Sequence, residues 1–182
     1  IGMPPKTSIT GFPRIGEGRE LKHALESYWS DEISQNELIQ TANNVKEKQW
    51  VLQKEKGIDL ISCNDFSLYD NMLDTAVMLN AVPERFRDIE NSLDQYFAMA
   101  RGNSSAVALE MTKWFNTNYH YLVPELQESM DFQINISAIT KEYKHAKYLG
   151  IDNPKINIIG PLTFVELAQA EGENISWDYF ED

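Results

Sequence analysis

The sequence predicts an α/β fold in which strands alternate with amphipathic helices. Four apolar runs with the residue types of strands begin near residues 8, 58, 110 and 156, and helical patterns separate them. Runs that are apolar on both faces are typical of strands in a buried parallel sheet. Strand spacing of about fifty residues suits a barrel with long loops, which takes eight strand–helix units and ~250 residues. The 182 residues supply about four such units, so the predicted fold is about half of a TIM-type (β/α)8 barrel.

Two helices are predicted between the first two strands, Ser8–Phe12 and Ile58–Cys63. The first helix carries apolar residues at the i, i+3, i+4, i+7 spacing of a single helix face: Leu21, Ala24, Leu25 and Tyr28. The second begins at a capping box of Ser34 and Glu37 and ends at Gly57, which can adopt a left-handed conformation. Its predicted inward residues are Leu38, Ala42, Val45 and Leu52.

The second half of the chain alternates in the same way, with glycine and proline marking the ends of elements. Its predicted elements are, in order, helices around 73–77 (ending near Pro83) and 93–100, a strand at 110–115, a helix at 140–149 ended by Gly150, a strand at 155–159 and a helix from about Thr163. Barrels of this kind bind ligands in loops that follow the carboxyl ends of strands. The candidate site loops therefore follow Phe12, Cys63, Phe115 and Ile159.

Composition excludes several classes of function. Sixteen basic residues against 28 acidic ones give a net charge of -12, which repels phosphate backbones, so no nucleic-acid partner is expected. The single cysteine, Cys63, excludes a disulfide framework and a multi-cysteine metal site. No run of 18 apolar residues is present, so no membrane partner is expected, and the first residues lack the apolar core of a signal peptide. We expect a cytoplasmic protein.

The first candidate loop combines positive charge with glycine. Arg14, Arg19 and Lys22 lie beside glycines at positions 11, 16 and 18 and next to the start of a helix. Backbone amides of such loops approach ligands closely, and helix N-termini favour anions, so a carboxylate or a phosphate is a possible ligand. The alternative is a tight turn whose arginine and lysine side chains are solvated. The spacing matches neither a Walker loop nor a dinucleotide fingerprint.

The third candidate loop mixes polar and aromatic residues: Glu110, Lys113, Asn116, Asn118 and His120 alternate with Trp114, Phe115, Tyr119 and Tyr121. Such residues can stack against a planar ring and hydrogen-bond its edge, and the lysine can contact an anionic group. In the alternative interpretation the aromatic rings belong to the core and the lysine points outward.

The remaining polar residues have simpler interpretations. Asp65 and Asp70 can act as a carboxylate pair in acid–base chemistry, but helix capping and turn formation are the favoured roles. Cys63 lies in an apolar run and is interpreted as a small buried residue. The three histidines, at 23, 120 and 145, have no motif-like spacing, so no zinc site is expected within this chain.

Six segments together resemble the amino-terminal region of the cobalamin-independent methionine synthases, which are 5-methyltetrahydropteroyltriglutamate–homocysteine methyltransferases. The resemblance extends in order over almost the whole chain, and the fifth segment is highly specific. The segments are Gly11–Gly16, Arg19–Lys22, Asp65–Ala76, Tyr96–Gly102, Glu110–Tyr121 and Ile159–Phe164.

The resemblance implies that residues 1–182 are an incomplete N-terminal (β/α)8 barrel domain. The family has a second, carboxy-terminal barrel that binds zinc and homocysteine, uses no cobalamin, and is absent from these residues. The family's folate-contacting residues correspond to Arg19, Glu20, Leu21, Lys22 and Lys113. We therefore expect 5-methyltetrahydropteroyltri-L-glutamate as the ligand of this half, with the charged groups of Lys22 and Lys113 facing one pocket.

Two further expectations concern residues 1–182 by themselves, and two alternative functions stay open. Residues 1–182 alone should be catalytically inactive, and uncovered strand edges should cause self-association. One alternative function is a non-catalytic scaffold that supports the catalytic barrel. Another is a related barrel methyltransferase with a different methyl donor or acceptor.

Overall fold

The computed structural model describes residues 4–170, which form two compact units. The first unit contains residues 4–68 and 136–158, and the second contains residues 69–135 and 159–170. The elements in chain order are α1 (Glu20–Trp29), α2 (Gln35–Glu55), β1 (Ile61–Cys63), α3 (Asn71–Met78), a 3-10 turn (Glu84–Phe86), α4 (Ser92–Arg101), β2 (Met111–Lys113), β3 (His120–Leu122), β4 (Glu125–Leu126), α5 (Ser137–Tyr148), β5 (Pro154–Ile156), α6 (Pro161–Glu166) and β6 (Gln169–Ala170).

The first unit is built around one parallel strand pair. β1 pairs with β5, in a register that runs from Ile61 opposite Pro154 to Cys63 opposite Ile156. Parallel neighbouring strands need a crossover connection. Helix α5 comes directly before β5 in the chain and contacts both β5 and β1. The core of this unit contains Trp50, Ile61, Cys63, Ala146 and Ile151. The predicted first strand, Ser8–Phe12, is reduced to a single parallel bridge between Ser8 and Leu60.

Helix α2 begins and ends as the sequence predicts. The Ser34 hydroxyl accepts a hydrogen bond from the Glu37 amide at 3.3 Å, and the Glu37 carboxylate accepts one from the Ser34 amide at 2.7 Å. Gly57 follows the helix with φ of +77°. The predicted inward position of Leu52 is wrong, since this side chain is exposed. Gln53 is buried in its place because its side-chain oxygen accepts a hydrogen bond from the Ser62 amide, which turns this face of α2 toward β1.

The second unit combines a parallel pair with an antiparallel hairpin. β4 pairs with β6 in parallel, and β2 pairs with β3 in antiparallel orientation. Helix α3 packs against β3, and the 3-10 turn and α3 both contact α4. The core of the unit contains Met72, Ala76, Ala81, Tyr121, Val123, Leu126, Met130 and Phe164.

The third predicted strand, Glu110–Phe115, is not a buried parallel strand. All three residues of β2 are exposed, and β2 forms a hairpin with β3. The chain reverses because the Trp114 amide donates to the Tyr119 carbonyl at 2.7 Å and Phe115 takes a left-handed conformation, with φ of +49°. The buried residues of this region follow the reversal, at Tyr121 and Leu122.

The fourth predicted strand is confirmed in its parallel pairing but is shorter and less buried than expected. β5 ends at Ile156, all three of its residues are half-buried, and Ile158 is exposed. Within residues 4–170, β1 is its strand neighbour, so one edge of β5 lacks a described partner strand.

The remaining helices agree with the prediction to within a few residues, except at the end of α3. α5 begins three residues before the predicted Thr140, and α6 begins at Pro161, where proline's fixed φ suits the first helical turn. α3 ends at Met78, well before Pro83, and Asn80 then adopts a left-handed φ of +59°. No helix in the described part of the chain is long and apolar enough to cross a membrane.

Candidate functional site

The loop that contains Gly16 and Gly18 is held by hydrogen bonds with Arg19 and Glu20, at the start of α1. Arg19 is the N-cap residue, with φ of +60°, and its amide donates to the Gly16 carbonyl at 3.1 Å. The Glu20 carboxylate turns back and accepts a hydrogen bond from the Gly18 amide at 3.0 Å. Gly16 has φ of +87°, and a Cβ atom there would lie 2.1 Å from the Glu20 carboxylate. Glycine suits this positive φ, and a Cβ atom here would force the Glu20 side chain to move.

The other residues at the start of α1 differ in their access to solvent. Arg19 is exposed and Lys22 is about half exposed. The Lys22 ammonium lies 3.6 Å from the Glu26 carboxylate, one helical turn away. Leu21 is completely buried, so its side chain anchors the first turn of α1 in the core. Arg19 and Lys22 are thus the two predicted site cations that remain accessible on this helix.

Arg14 has a structural contact in the same unit. Its guanidinium donates to the carbonyl oxygens of Ser67 and Leu68, at 3.2 and 3.0 Å. Asp65 makes a second link between these segments, since its carboxylate accepts a hydrogen bond from the Phe12 amide at 2.7 Å. Burial raises the pKa of Asp65 above its ordinary value, although this hydrogen bond opposes the shift. The Asp65 carboxylate thus bonds to backbone, but it joins two distant segments rather than holding a local turn or capping a helix.

The β2–β3 hairpin carries Lys113 on its exposed strand. Lys113 lies opposite His120 in the antiparallel register. The Trp114 ring packs edge-on against three other aromatic rings, with centroid distances of 5.3 Å to Phe115, 6.5 Å to Tyr119 and 5.5 Å to Tyr121. As the alternative interpretation expects, Tyr121 belongs to the core and Lys113 is exposed, whereas Phe115 and Tyr119 also remain exposed.

Asp70 is a buried helix cap, which confirms the favoured interpretation of this residue. One carboxylate oxygen accepts hydrogen bonds from the amides of Leu73 and Leu122, at 3.0 and 3.3 Å. The other oxygen accepts one from the Tyr119 hydroxyl at 2.9 Å. Burial raises the pKa of Asp70, and these hydrogen bonds oppose the shift because they favour the ionised form. Sequence reasoning identified the cap but missed the two contacts to the hairpin.

The histidines and the cysteine form no common site. His145 contacts the Glu47 carboxylate at 2.7 Å, and the His120 ring contacts the Asn118 carbonyl at 3.1 Å. Cys63 is fully buried, and burial raises the pKa of its thiol to about 12. In residues 4–170 no three His, Cys, Asp or Glu side chains lie close enough together to hold a metal ion.

The described residues thus define an α/β protein with accessible cations at the start of α1 in the first unit and, in the second unit, an exposed lysine and exposed aromatic rings on the β2–β3 hairpin. Residues 6–181 match the family described as the N-terminal domain of cobalamin-independent synthase, and the chain belongs to that family.

Named relatives agree with this membership. The chain is 57% identical over 163 residues to a 5-methyltetrahydropteroyltriglutamate–homocysteine methyltransferase of Desulforamulus reducens, covering 90% of the chain and 21% of the relative. Relatives of the same name from Bifidobacterium animalis subsp. lactis and Nitrosomonas europaea are 47% and 48% identical, covering 97% and 92% of the chain and 24% and 22% of the relatives. The chain therefore spans about a fifth of the length of these relatives.

Proposed function

We propose that this chain is the folate-binding amino-terminal part of a methyltransferase that moves a methyl group from 5-methyltetrahydropteroyltri-L-glutamate to L-homocysteine, giving methionine. Family membership and the names of the relatives support this function. The observation that supports a ligand-binding role for this part is the position of Lys113. Lys113 is an exposed cation on the β2–β3 hairpin, which also carries exposed aromatic rings.

The proposed ligand presents two kinds of surface to a protein. Its pterin and benzoyl rings are planar, and its triglutamate tail carries several carboxylates. Lysine and arginine bind carboxylates by charge-assisted hydrogen bonds, and aromatic side chains stack on planar rings. We assign Arg19, Lys22 and Lys113 to the tail, while the amides of Arg19 and Leu21 are already bonded to the carbonyls of Gly16 and Ile15. Glu20 shapes this turn by holding the Gly18 amide.

Several cations are needed because each exposed contact is weak. An exposed ion pair contributes ~0.2–1 kcal/mol, and the chain has a net charge of -12, which repels an anionic tail over longer distances. The purpose of such anchoring is positional. Holding the reacting groups in line can lower a barrier by ~7–11 kcal/mol, and the methyl donor here is an amine that leaves with difficulty.

Zinc and homocysteine are assigned to polypeptide beyond these residues. The described part of the chain offers no group of side chains that fits a zinc ion, so we derive no step through the metal on residues 4–170. When bound, zinc would supply a thiolate by lowering the pKa of the homocysteine thiol. The relatives are four to five times longer than the matched region, which leaves room for a separate metal-binding part. No cobalamin is part of this proposal.

We also propose that the parallel strands belong to a (β/α)8 barrel of which this chain contributes about half. The parallel pairing of β1 with β5, and the helices that connect strands along the chain, support this architecture. Uncovered strand edges and exposed apolar side chains such as Val107 and Ile134 support self-association of the 182-residue chain by itself. Sedimentation of the 182-residue chain as a monomer would contradict the proposed self-association.

The function is tested in the full-length enzyme with Lys113→Ala. Calorimetry with the triglutamate folate should show a dissociation constant raised about 2- to 5-fold, which corresponds to one exposed ion contact. Lys48→Ala is the matched control, because it removes an exposed lysine from α2, outside the proposed contacts. An unchanged dissociation constant for Lys113→Ala would remove the folate assignment. A lowered melting temperature with unchanged affinity would favour the scaffold function.

A further inference from the structure

The buried carboxylate of Asp70 connects helix α3 to both ends of the segment that opposes Lys113. Tyr119 and Leu122 flank β3 residues His120 and Tyr121, and both donate hydrogen bonds to Asp70. His120 is the residue that pairs with Lys113 across the hairpin. Asp70 therefore bonds to the chain on both sides of His120, the β3 residue that pairs with Lys113.

Asp70 is itself rigidly placed. It is 2% exposed, and it caps the first turn of α3 through the Leu73 amide. Its own amide and that of Tyr69 donate to the Tyr96 hydroxyl, at 3.4 and 3.0 Å, and this hydroxyl donates in turn to Asp74 at 2.7 Å. A buried carboxylate with three donors costs free energy if any donor is removed, so its geometry is strongly constrained.

The hairpin needs such an attachment because β2 does not enter the core. Met111, Thr112 and Lys113 are all exposed, and Phe115 at the tip is 66% exposed. A two-stranded hairpin is only marginally stable by itself. Burial begins at Tyr121 and Leu122, so the hairpin is fixed at its base by apolar packing and along its length by Asp70.

We propose that Asp70, acting through the Tyr119 hydroxyl, is a positioning residue that fixes the β2–β3 hairpin and so presents Lys113 to the anionic tail of the folate. This inference rests on the proposed function, since it assigns a purpose to the position of Lys113. Tyr119→Phe is the sharpest variant because it removes one hydroxyl, keeps the aromatic ring, and leaves the Asp70 cap on Leu73 in place.

The test is a double-mutant cycle in the full-length enzyme, with Tyr119→Phe, Lys113→Ala and the combination of both. The probes are 5-methyltetrahydropteroyl triglutamate and the corresponding monoglutamate, with affinities measured by calorimetry. We expect Tyr119→Phe to weaken triglutamate binding about 2- to 3-fold, no more than Lys113→Ala does, to affect the monoglutamate less, and to cause little further loss when Lys113 is already alanine.

Asn91→Ala is the matched control for a purely structural effect. Asn91 caps α4 through the amides of Leu93 and Asp94, in the same unit as the hairpin. It should lower the melting temperature while leaving triglutamate affinity unchanged.

Two results would overturn the inference while leaving the proposed function intact. One is wild-type affinity for the triglutamate in Tyr119→Phe while Lys113→Ala binds it weakly. The other is an equal loss of affinity from Tyr119→Phe whether Lys113 is present or replaced by alanine. Wild-type affinity in Lys113→Ala would instead reject the proposed folate contact on which the inference rests.

Discussion

The ammonium of Lys46 lies 3.1 Å from the carboxylate of Glu142, although 96 residues separate them in the chain. The two side chains are 15% and 10% exposed, so the pair is largely shielded from water. The other Glu142 oxygen accepts a hydrogen bond from the Asn64 amide, directly after β1. Asn64 has φ of +57°, and this bond helps to hold its left-handed conformation. One carboxylate therefore links α2, α5 and the end of a strand.

The first prediction concerns this pair. Lys46→Met should lower the free energy of unfolding by about 3–5 kcal/mol, because it leaves a largely buried carboxylate without its countercharge. Glu142→Gln added to Lys46→Met should recover part of the loss, since the amide oxygen still accepts from Asn64 and no charge remains buried. Urea unfolding of the four proteins measures the coupling. Additive losses would show that the pair behaves like an exposed one.

The second prediction concerns the glycine before α1. Gly16→Ala should destabilise the protein more than Gly57→Ala, although both residues have positive φ. At Gly57 no atom lies within 4 Å of an added Cβ, so only the backbone cost of about 1 kcal/mol applies. At Gly16 the added Cβ would also collide with Glu20. Thermal unfolding checks the order of the two variants, and Glu20→Ala should relieve part of the Gly16→Ala loss. The same loss at both glycines would contradict the observed approach of Glu20.

The third prediction concerns the Cys63 thiol. Its pKa is raised to about 12 by burial, from an ordinary value near 9.0, so its thiolate fraction at pH 8 should fall about a thousandfold. A colorimetric disulfide reagent should therefore react with the unfolded chain and hardly at all with the native one. As the pH rises, the thiol of the unfolded chain ionises before the thiol of the native chain. The contribution of Cys63 to the free energy of unfolding is therefore complete below pH 9 and is lost as the pH rises toward 12. Cys63→Ala should remove this part of the alkaline loss. Rapid labelling of the native chain would show that the thiol is accessible.

Local signals in the sequence predicted the elements that depend on local physics. The capping box at Ser34 and Glu37, the stops at Gly57 and Gly150, and the start of α6 near Pro161 each depend on neighbours within four residues. Such contacts are encoded in short patterns, which is why the helix positions agree closely with the structure.

The strands and the cation contacts were harder to predict because they depend on distant partners. The apolar residues of 110–115 resemble a buried strand, but the reversal at Phe115 makes this stretch an exposed hairpin arm. From the sequence alone, Arg14 has the features of a ligand-binding cation. Its carbonyl partners lie 53 and 54 residues away in the chain, so no local pattern indicates them. No periodic pattern encodes the Lys46–Glu142 pair. The residue types around Lys113 made it a candidate for contact with an anion, and the resemblance to a family assigned it to folate.

The last prediction separates two cations that the sequence places in one loop. The Arg14 guanidinium donates to two carbonyls and joins the first loop to the segment after β1. Removing it should leave those carbonyls short of a donor, at a cost of about 1–3 kcal/mol. Lys22 has only an ion pair with Glu26 at 3.6 Å, of a kind that contributes about 0.2–0.5 kcal/mol on a helix surface. Arg14→Ala should therefore lower the melting temperature clearly, and Lys22→Ala should hardly change it.

Ligand affinity should show the opposite order. In the full-length enzyme at a temperature where both variants are folded, Lys22→Ala should weaken binding of the triglutamate folate, because the ammonium is accessible and assigned to the tail. Arg14→Ala should retain most of the affinity, since its charge is already committed to backbone oxygens. Calorimetric titration beside thermal unfolding gives both quantities for each variant. If Arg14→Ala lost affinity while melting like the wild type, Arg14 would be a ligand contact, and the carbonyl bonds would describe only the ligand-free arrangement.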